Sequence, residues 1–211
     1  MNAIRPPESP VPSGELALTE EDRGRADLYA LLARLFHAGP DRTLLDTLAR
    51  HEDLFGTDGV PLGRAWRALA RSAREADPEA LRLEYDSLFV GVGKAQVTPY
   101  CSHYLTPTGR ERIVVALRDE LRDLGLGRMG DTHEPEDHIA VLCEVMRHLV
   151  LLGSDDQSIG RQKQFFMRYI QSAYIQLTDE ILGTAATQFY KDVARVTRVF
   201  FDVESQSFEM V

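Results

Sequence analysis

The residues best suited to chemistry lie between Glu134 and His138, where three carboxylates and an imidazole surround a proline. Asp137 beside His138 could form an acid–base pair, because a histidine oriented by a carboxylate is common in catalysis. The same carboxylates could instead hold a guanidinium group through charge-assisted hydrogen bonds. From Asp131 to Glu144 the sequence contains five acidic residues and no Lys or Arg. The segment therefore predicts a surface that attracts cations.

A predicted helix positions these residues. Pro135 suits the first helical position, because its φ is already helical and its missing N–H needs no partner there. Glu136 and Asp137 then fall in the first turn, where the helix dipole stabilises carboxylates, so a plain solvated helix start also explains the acids. On this helix we expect Asp137 to point away from the core and His138 to lie at its edge. A buried face is predicted by apolar residues at helical spacing: Ile139, Leu142, Cys143, Met146 and Val150.

Other catalytic or ligand-binding patterns have less support. His138, Cys143 and His148 are five residues apart, so they cannot converge on a metal ion from one helix. The metal motifs C-x-x-C and H-E-x-x-H and the nucleophile motif G-x-S-x-G are absent. The stretch 91–94 (GVGK) lacks the first glycine and the Ser/Thr of a phosphate loop, and it follows a predicted helix rather than a strand. We therefore expect no metal site and no catalytic nucleophile.

Two sequence blocks carry a family resemblance. The stretch 134–138 (EPEDH) resembles the E-P-x-D-H signature of the TorD/DmsD family, cytoplasmic chaperones that assist the maturation of molybdenum enzymes. Upstream, 85–91 (YDSLFVG) and 99–104 (PYCSHY) are similar to the family's Y-x-x-L-F-x-G and P-[YW]-x-S-x-[YW] motifs. The detailed resemblance covers about residues 79–152.

The resemblance implies a binding protein with no chemistry of its own. Such a chaperone binds the twin-arginine leader and the apo form of a molybdopterin oxidoreductase's catalytic subunit, aids cofactor insertion and delays export until folding is complete. It implies no cofactor, apart from guanine nucleotide reported for some relatives, and either a monomer or an exchanged-domain dimer. The residues that it assigns to leader and client binding are Tyr85, Leu88, Phe89, Pro99, Tyr100, Glu134, Pro135, Asp137 and His138.

Some features leave alternatives open. Leu88 and Phe89 fit core packing at least as well as binding, and loop aromatics such as Tyr100 are suited equally to anchoring and to binding. The family's later H-L-x-P-W stretch is not matched, because Tyr169, Ser172 and Ala173 stand where its His, Pro and Trp are expected. There are two rival hypotheses. One is a small helical hydrolase or nucleotide-dependent enzyme that uses Asp137 and His138. The other is a generic helical interaction domain.

Composition narrows the class of protein. A chain of 211 residues suits one domain. A net charge of −9, from 24 basic and 33 acidic residues, argues against nucleic acid as the main partner and permits a basic peptide. Two cysteines do not make a disulfide framework. The sequence has neither the apolar segment of a signal peptide nor a transmembrane run, so a cytoplasmic location is expected.

The helical pattern predicts an all-α fold, a compact bundle of about seven to nine helices. Residues 1–14 read as a disordered Pro-rich tail, and residues 15–211 as one domain with a Gly-rich hinge near 125–134. Thr19 and Asp22 are predicted to cap the first helix. Single helices are expected to end at Phe89 and to cover 158–182, and 90–105 is expected to be a loop.

Overall fold

The computed structural model describes residues 18–56, 59–91, 95–127, 135–185 and 188–210. These segments contain ten α-helices, one π-helical turn and no β-strand, and the all-α prediction is confirmed. The helices are α1 (Glu20–His37), α2 (Arg42–Arg50), α3 (Pro61–Glu75), α4 (Pro78–Tyr85), α5 (Ser102–Leu105), α6 (Arg110–Asp123), α7 (Ile139–Leu152), α8 (Asp156–Tyr169), α9 (Gln171–Gly183) and α10 (Gln188–Glu209). None of the described helices is long and apolar enough to cross a lipid bilayer.

Helix boundaries differ from the sequence prediction at several places. The stretch 90–105, expected to be a loop, contains the short helix α5. The helix expected over 158–182 is interrupted at Ile170, whose φ of −107° departs from helical geometry. The helix expected to end at Phe89 stops at Tyr85 and continues as a π-helical turn, Asp86–Val90. Both breaks occur without a proline, so tertiary packing rather than local propensity sets them.

Helix caps follow the sequence more closely. Thr19 and Asp22 form the predicted capping box of α1, with the Asp22 N–H donating to the Thr19 hydroxyl at 3.0 Å. The carboxylates of Asp41, Asp77 and Asp155 accept from the first turns of α2, α4 and α8. Each cap of this kind stabilises its helix by about 1 kcal/mol.

The two ends of the chain share one core. Helix α1 packs along α7, and α10 packs on α3 and α9. Phe201 of α10 lies 6.0 Å from Tyr29 of α1 and 5.7 Å from Phe166 of α8, between ring centroids. The predicted tail, 1–14, lies outside the described residues, as does 128–134 of the predicted hinge. The disordered tail and the Gly-rich hinge therefore stay predictions.

A buried polar network fixes α1 against α8 and α10. Arg25 donates through Nε to Glu204 Oε1 at 2.7 Å and through Nη2 to Glu204 Oε2 at 2.9 Å. The Tyr29 hydroxyl donates to the same carboxylate at 2.8 Å, and Arg25 also donates to Gln162 Oε1 at 3.1 Å. Burial, and next the Glu204 carboxylate, raise the pKa of Tyr29, so its hydroxyl stays protonated as a donor.

Candidate functional site

The two motif blocks of the sequence meet in space. Tyr100 and His138 form an isolated antiparallel β-bridge, and their rings lie edge to face with centroids 5.3 Å apart. We call the paired segments, residues 99–102 and 135–139, the junction. It brings together residues that are almost forty positions apart in the sequence, one from each of the two blocks that carry the family resemblance.

Hydrogen bonds lock the junction on both sides of this bridge. The Cys101 N–H donates to the Asp137 carbonyl, and the Ile139 N–H donates to the Pro99 carbonyl, each at 2.8 Å. The Asp137 carboxylate also accepts from the Ser102 N–H at 3.3 Å, through Oδ2. Asp137 is only 3% exposed, so its side chain fastens the loop that precedes α5.

The predicted start of the helix at Pro135 is wrong. Helix α7 begins at Ile139, and His138 is its N-cap with an extended ψ of 132°. The His138 Nδ1 accepts from the Ala140 N–H at 3.1 Å, which satisfies one of the unpaired donors of the first turn. Residues 136–137 form a turn, which the His138 N–H closes by donating to the Pro135 carbonyl at 3.2 Å. Asp137 therefore never joins the helical wheel, and the prediction that it points outward is wrong as well.

These bonds do not suit an acid–base pair. In such a pair, the carboxylate accepts a proton-bearing Nδ1–H and leaves Nε2 as the base. Here Nδ1 of His138 is itself an acceptor from Ala140, and Oδ2 of Asp137 accepts from Ser102. A single imidazole nitrogen cannot accept from one group and donate to another in the same state. The geometry gives the enzyme hypothesis no support.

The acidic segment is partly neutralised from α6. Arg118 donates to Glu136 through Nε at 2.8 Å and through Nη2 at 3.1 Å, a bidentate pair. The Glu136 side chain is 7% exposed and that of Arg118 is 50% exposed. The Glu136 carboxylate raises the pKa of Arg118. Glu144 pairs more loosely with Arg147, at 3.5 Å. Among the described residues, ion pairing therefore compensates part of the negative charge that the sequence predicts for this surface.

A groove of about 740 Å³ lies beside the junction. Glu136 and His138 contribute to its lining, as do Arg118 from α6, His148 from α7 and His37 at the end of α1. Its apolar lining is Leu121, Leu126, Val141, Val145 and Leu151. The contribution of α6 and His37 carries no signal in the sequence, because only the tertiary fold brings these elements beside the motif.

A second, smaller depression of about 530 Å³ lies against the other motif residues. Tyr100, Pro135 and Asp137 line it, together with Arg118 and Glu136. Arg118 and Glu136 thus line both cavities, and their ion pair lies between them. Four of the nine predicted residues border one of the two cavities, namely Tyr100, Pro135, Asp137 and His138. This face of the protein is therefore the candidate binding surface.

The remaining predicted site residues lie elsewhere. Tyr85, Leu88 and Phe89 are buried, at 8%, 1% and 5% exposure, and none lines either cavity. Phe89 packs between Tyr85 and Tyr190, with centroid distances of 5.2 and 5.6 Å. Their assignment to client binding stays a prediction. Their burial in the core does not favour it.

Two further residues complete the predicted set. Pro99 is buried in the junction, where its carbonyl accepts from Ile139. Glu134 lies outside the described residues. The junction therefore accounts for Pro99 as a structural residue, and the predicted role of Glu134 stays a prediction.

Tyr85 supports the groove indirectly. Its hydroxyl lies 2.9 Å from the Phe36 carbonyl and 2.7 Å from the His37 carbonyl, the unpaired end of α1. We expect Tyr85→Phe to lower the free energy of unfolding by about 1–3 kcal/mol, because these carbonyls lose a donor. Chemical denaturation checks this value. An unchanged free energy of unfolding would show that Tyr85 does not hold the end of α1.

The cysteines lie near the junction but are poorly reactive. Cys101 and Cys143 are free thiols and fully buried. Burial is the main cause that raises the pKa of both, and the Asp137 carboxylate adds to the effect at Cys101. Among the residues that the structure describes, no group of three or more His, Cys, Asp or Glu side chains could hold a metal ion.

Comparisons with known proteins agree with the motifs. The family model described as nitrate reductase delta subunit matches residues 57–177, more than half of the chain and both motif blocks. The chain is 33% identical over 117 residues to the chaperone protein TorD of Ferrimonas balearica. That match covers 54% of this chain and 52% of the relative, so the chain aligns with about half of that protein.

A solved structure supports the fold. A protein of Archaeoglobus fulgidus that is assigned to redox enzyme maturation superposes with a TM-score of 0.54 over 85% of this chain and 93% of its own. The two sequences are 19% identical, so this likeness concerns the fold alone. On the match to the family model, the chain belongs to the nitrate reductase delta subunit family, the TorD family that its motif blocks resemble.

Proposed function

We propose that this protein is a redox-enzyme maturation chaperone that binds the twin-arginine leader and the apo form of a molybdopterin oxidoreductase's catalytic subunit. It holds that subunit in the cytoplasm, aids cofactor insertion and delays export until folding is complete. We assign it no cofactor and no reaction of its own. The observation that carries the proposal is the meeting of the two family blocks at one junction beside an apolar groove.

The chemistry of the groove matches that of a leader peptide. A twin-arginine leader presents two adjacent guanidinium groups followed by an apolar stretch. The groove supplies apolar side chains such as Leu121, Val141 and Leu151, with the carboxylate of Glu136 in the same lining. Helical peptides commonly bind to proteins by laying an apolar face into such a groove. Its volume falls within the ~300–1,000 Å³ of typical ligand sites.

The net charge of the chain favours such a partner. At −9 it attracts a basic leader over long range. The three arginines of the groove do not oppose this, since each is ion-paired: Arg118 with Glu136, Arg122 with Asp119 and Arg147 with Glu144.

Calorimetric titration tests the proposal. The purified protein is titrated with the twin-arginine leader of a molybdenum enzyme encoded beside it, and with the same peptide carrying Lys-Lys. We expect a dissociation constant in the micromolar range or tighter, weakened by added salt. We expect weaker binding of the Lys-Lys peptide, because an ammonium group cannot form a bidentate pair. Absence of binding to every candidate leader would contradict leader recognition.

A pair of variants tests whether the groove holds the apolar stretch. Leu151 lines the groove and is 42% exposed, whereas its neighbour Leu152 is 55% exposed and does not line it. We expect Leu151→Gln to weaken leader binding by about 1 kcal/mol, the value of burying part of a leucine side chain. Leu152→Gln makes the same chemical change on the same turn and should leave the affinity unchanged. Equal effects of the two variants would place the peptide elsewhere.

A further inference from the structure

The ion pair of Arg118 and Glu136 has an unusual location. Its carboxylate is buried and borders both cavities, and its guanidinium reaches across from α6. The two partners differ in exposure, at 50% for Arg118 and 7% for Glu136. If the pair opens, the arginine is the partner that can swing into water, and the carboxylate stays in place.

A carboxylate in this place gains from a guanidinium partner. Loss of Arg118 removes a bidentate partner from a side chain that is only 7% exposed, which is costly in a poorly solvated place. Glu136 is therefore a strong acceptor for any other guanidinium that reaches it. A bidentate carboxylate is the geometry that distinguishes an arginine from a lysine.

We propose that Glu136 is the carboxylate that receives a guanidinium of the client peptide, and that Arg118 occupies this position until the client displaces it. The inference rests on the proposed function and adds a specific exchange to it. Arg118 is then an internal competitor that lowers the apparent affinity. Because both partners line both cavities, a peptide that displaces Arg118 can contact both.

Asp137, which the sequence favoured for this contact, is less suitable. It is 3% exposed, and its carboxylate already accepts from the Ser102 N–H within the junction. A client guanidinium that took over this oxygen would displace the Ser102 N–H and so weaken the junction. At Glu136 the exchange replaces one bidentate pair by another and leaves the backbone bonds of the junction intact.

A charge-matched pair of variants tests the exchange. Arg118 and Arg122 lie one turn apart on α6 and line the same groove, but Arg122 pairs with Asp119 at 2.8 Å. Arg118→Gln and Arg122→Gln thus remove the same charge from the same surface. We expect Arg118→Gln to bind the twin-arginine leader about two- to fivefold more tightly than the wild type. The reason is that the leader no longer competes with the Arg118 guanidinium for Glu136, and an ion pair of this kind has modest strength. Arg122→Gln should lack this gain.

Each outcome of this comparison is decisive. Equal affinities of the wild type and the two variants, or an equal gain in both variants, would overturn the exchange, because only a general change of electrostatic field would then remain. Glu136→Gln should bind the twin-arginine and Lys-Lys leaders equally weakly. If that variant does not fold, the comparison at Arg118 and Arg122 decides alone.

A second probe separates this inference from the proposed function. If no leader binds to any of the proteins, the proposed leader recognition fails, and arginyl-arginine amide is then added to each protein. A rise in the Tm of Arg118→Gln, larger than that of Arg122→Gln, would preserve Glu136 as a guanidinium site. Equal shifts, or none, would overturn it together with the proposed function.

Discussion

The substitution Glu204→Ala is expected to lower the free energy of unfolding by about 3–5 kcal/mol, the usual cost of breaking a buried ion pair. Glu204 is 2% exposed, and it accepts from Arg25 through both carboxylate oxygens and from the Tyr29 hydroxyl. Without it, the Arg25 charge and the buried Tyr29 hydroxyl lose their main partner. Since α1 ends at His37 in the lining of the groove, displacement of α1 should also weaken peptide binding.

Two control variants make this result specific. Glu209→Ala makes the same change on α10 at an exposed position and should alter stability by less than about 0.5 kcal/mol. Glu204→Gln keeps the shape and part of the hydrogen bonding, so its loss should be intermediate. Urea denaturation followed by circular dichroism measures all three. A loss in Glu204→Ala no larger than in Glu209→Ala would show that the network contributes nothing to stability.

The substitution Asp137→Ala is expected to open the junction, with a loss of about 1.5–3 kcal/mol, the value of a hydrogen bond to a charged group. The Ser102 N–H would lose its acceptor in a buried place. Loop residues next to it, above all Cys101, should then become accessible.

Alkylation of the thiols reports this opening locally. In the wild type, burial raises the pKa of Cys101 and Cys143 and shields both, so neither should react with iodoacetamide at neutral pH. In Asp137→Ala, mass spectrometry should find Cys101 labelled and Cys143, which lies inside α7, unlabelled. Labelling of both thiols at one rate would indicate global unfolding. Labelling of neither would mean that Asp137 does not hold the junction.

The sequence predicted those features that depend on neighbours in the chain. Apolar periodicity located most helices, and Thr19 with Asp22 formed the expected capping box. These features depend on contacts within a few residues, where side-chain chemistry and spacing are directly visible. The family resemblance assigned residues of both blocks to one binding role, whereas their contact at the junction depends on the tertiary fold.

The errors arose where distant segments determine the backbone. Pro135 looked like a helix start, but a turn over 136–137 and pairing with Pro99 and Cys101 delay the helix until Ile139. The same pairing buries Asp137. Likewise, Arg118 neutralises Glu136 from a helix whose sequence contains no sign of that contact. Local propensity is a weak guide where tertiary hydrogen bonds compete with it.

The segment that departs from the family motif also behaves differently from the expected helix. Tyr169 ends α8 and its hydroxyl donates to Glu120 at 2.8 Å, and Gln171 begins α9. Ile170 and Ala173 are fully buried at this break. Tyr169 and Ala173, at the expected His and Trp positions, thus pack in the core, whereas Ser172, at the expected Pro position, is exposed. The sequence could not reveal this break, because no glycine or proline marks it.

The central claim is that the client peptide lies across the groove between α6 and α7 beside the junction. Hydrogen–deuterium exchange of the protein with and without a saturating twin-arginine leader tests it most directly. We predict slower amide exchange in α6 and along α7, with α2 and α3 unchanged. Protection confined to α2, α3 or α9, with α6 and α7 exchanging as in the free protein, would contradict the claim.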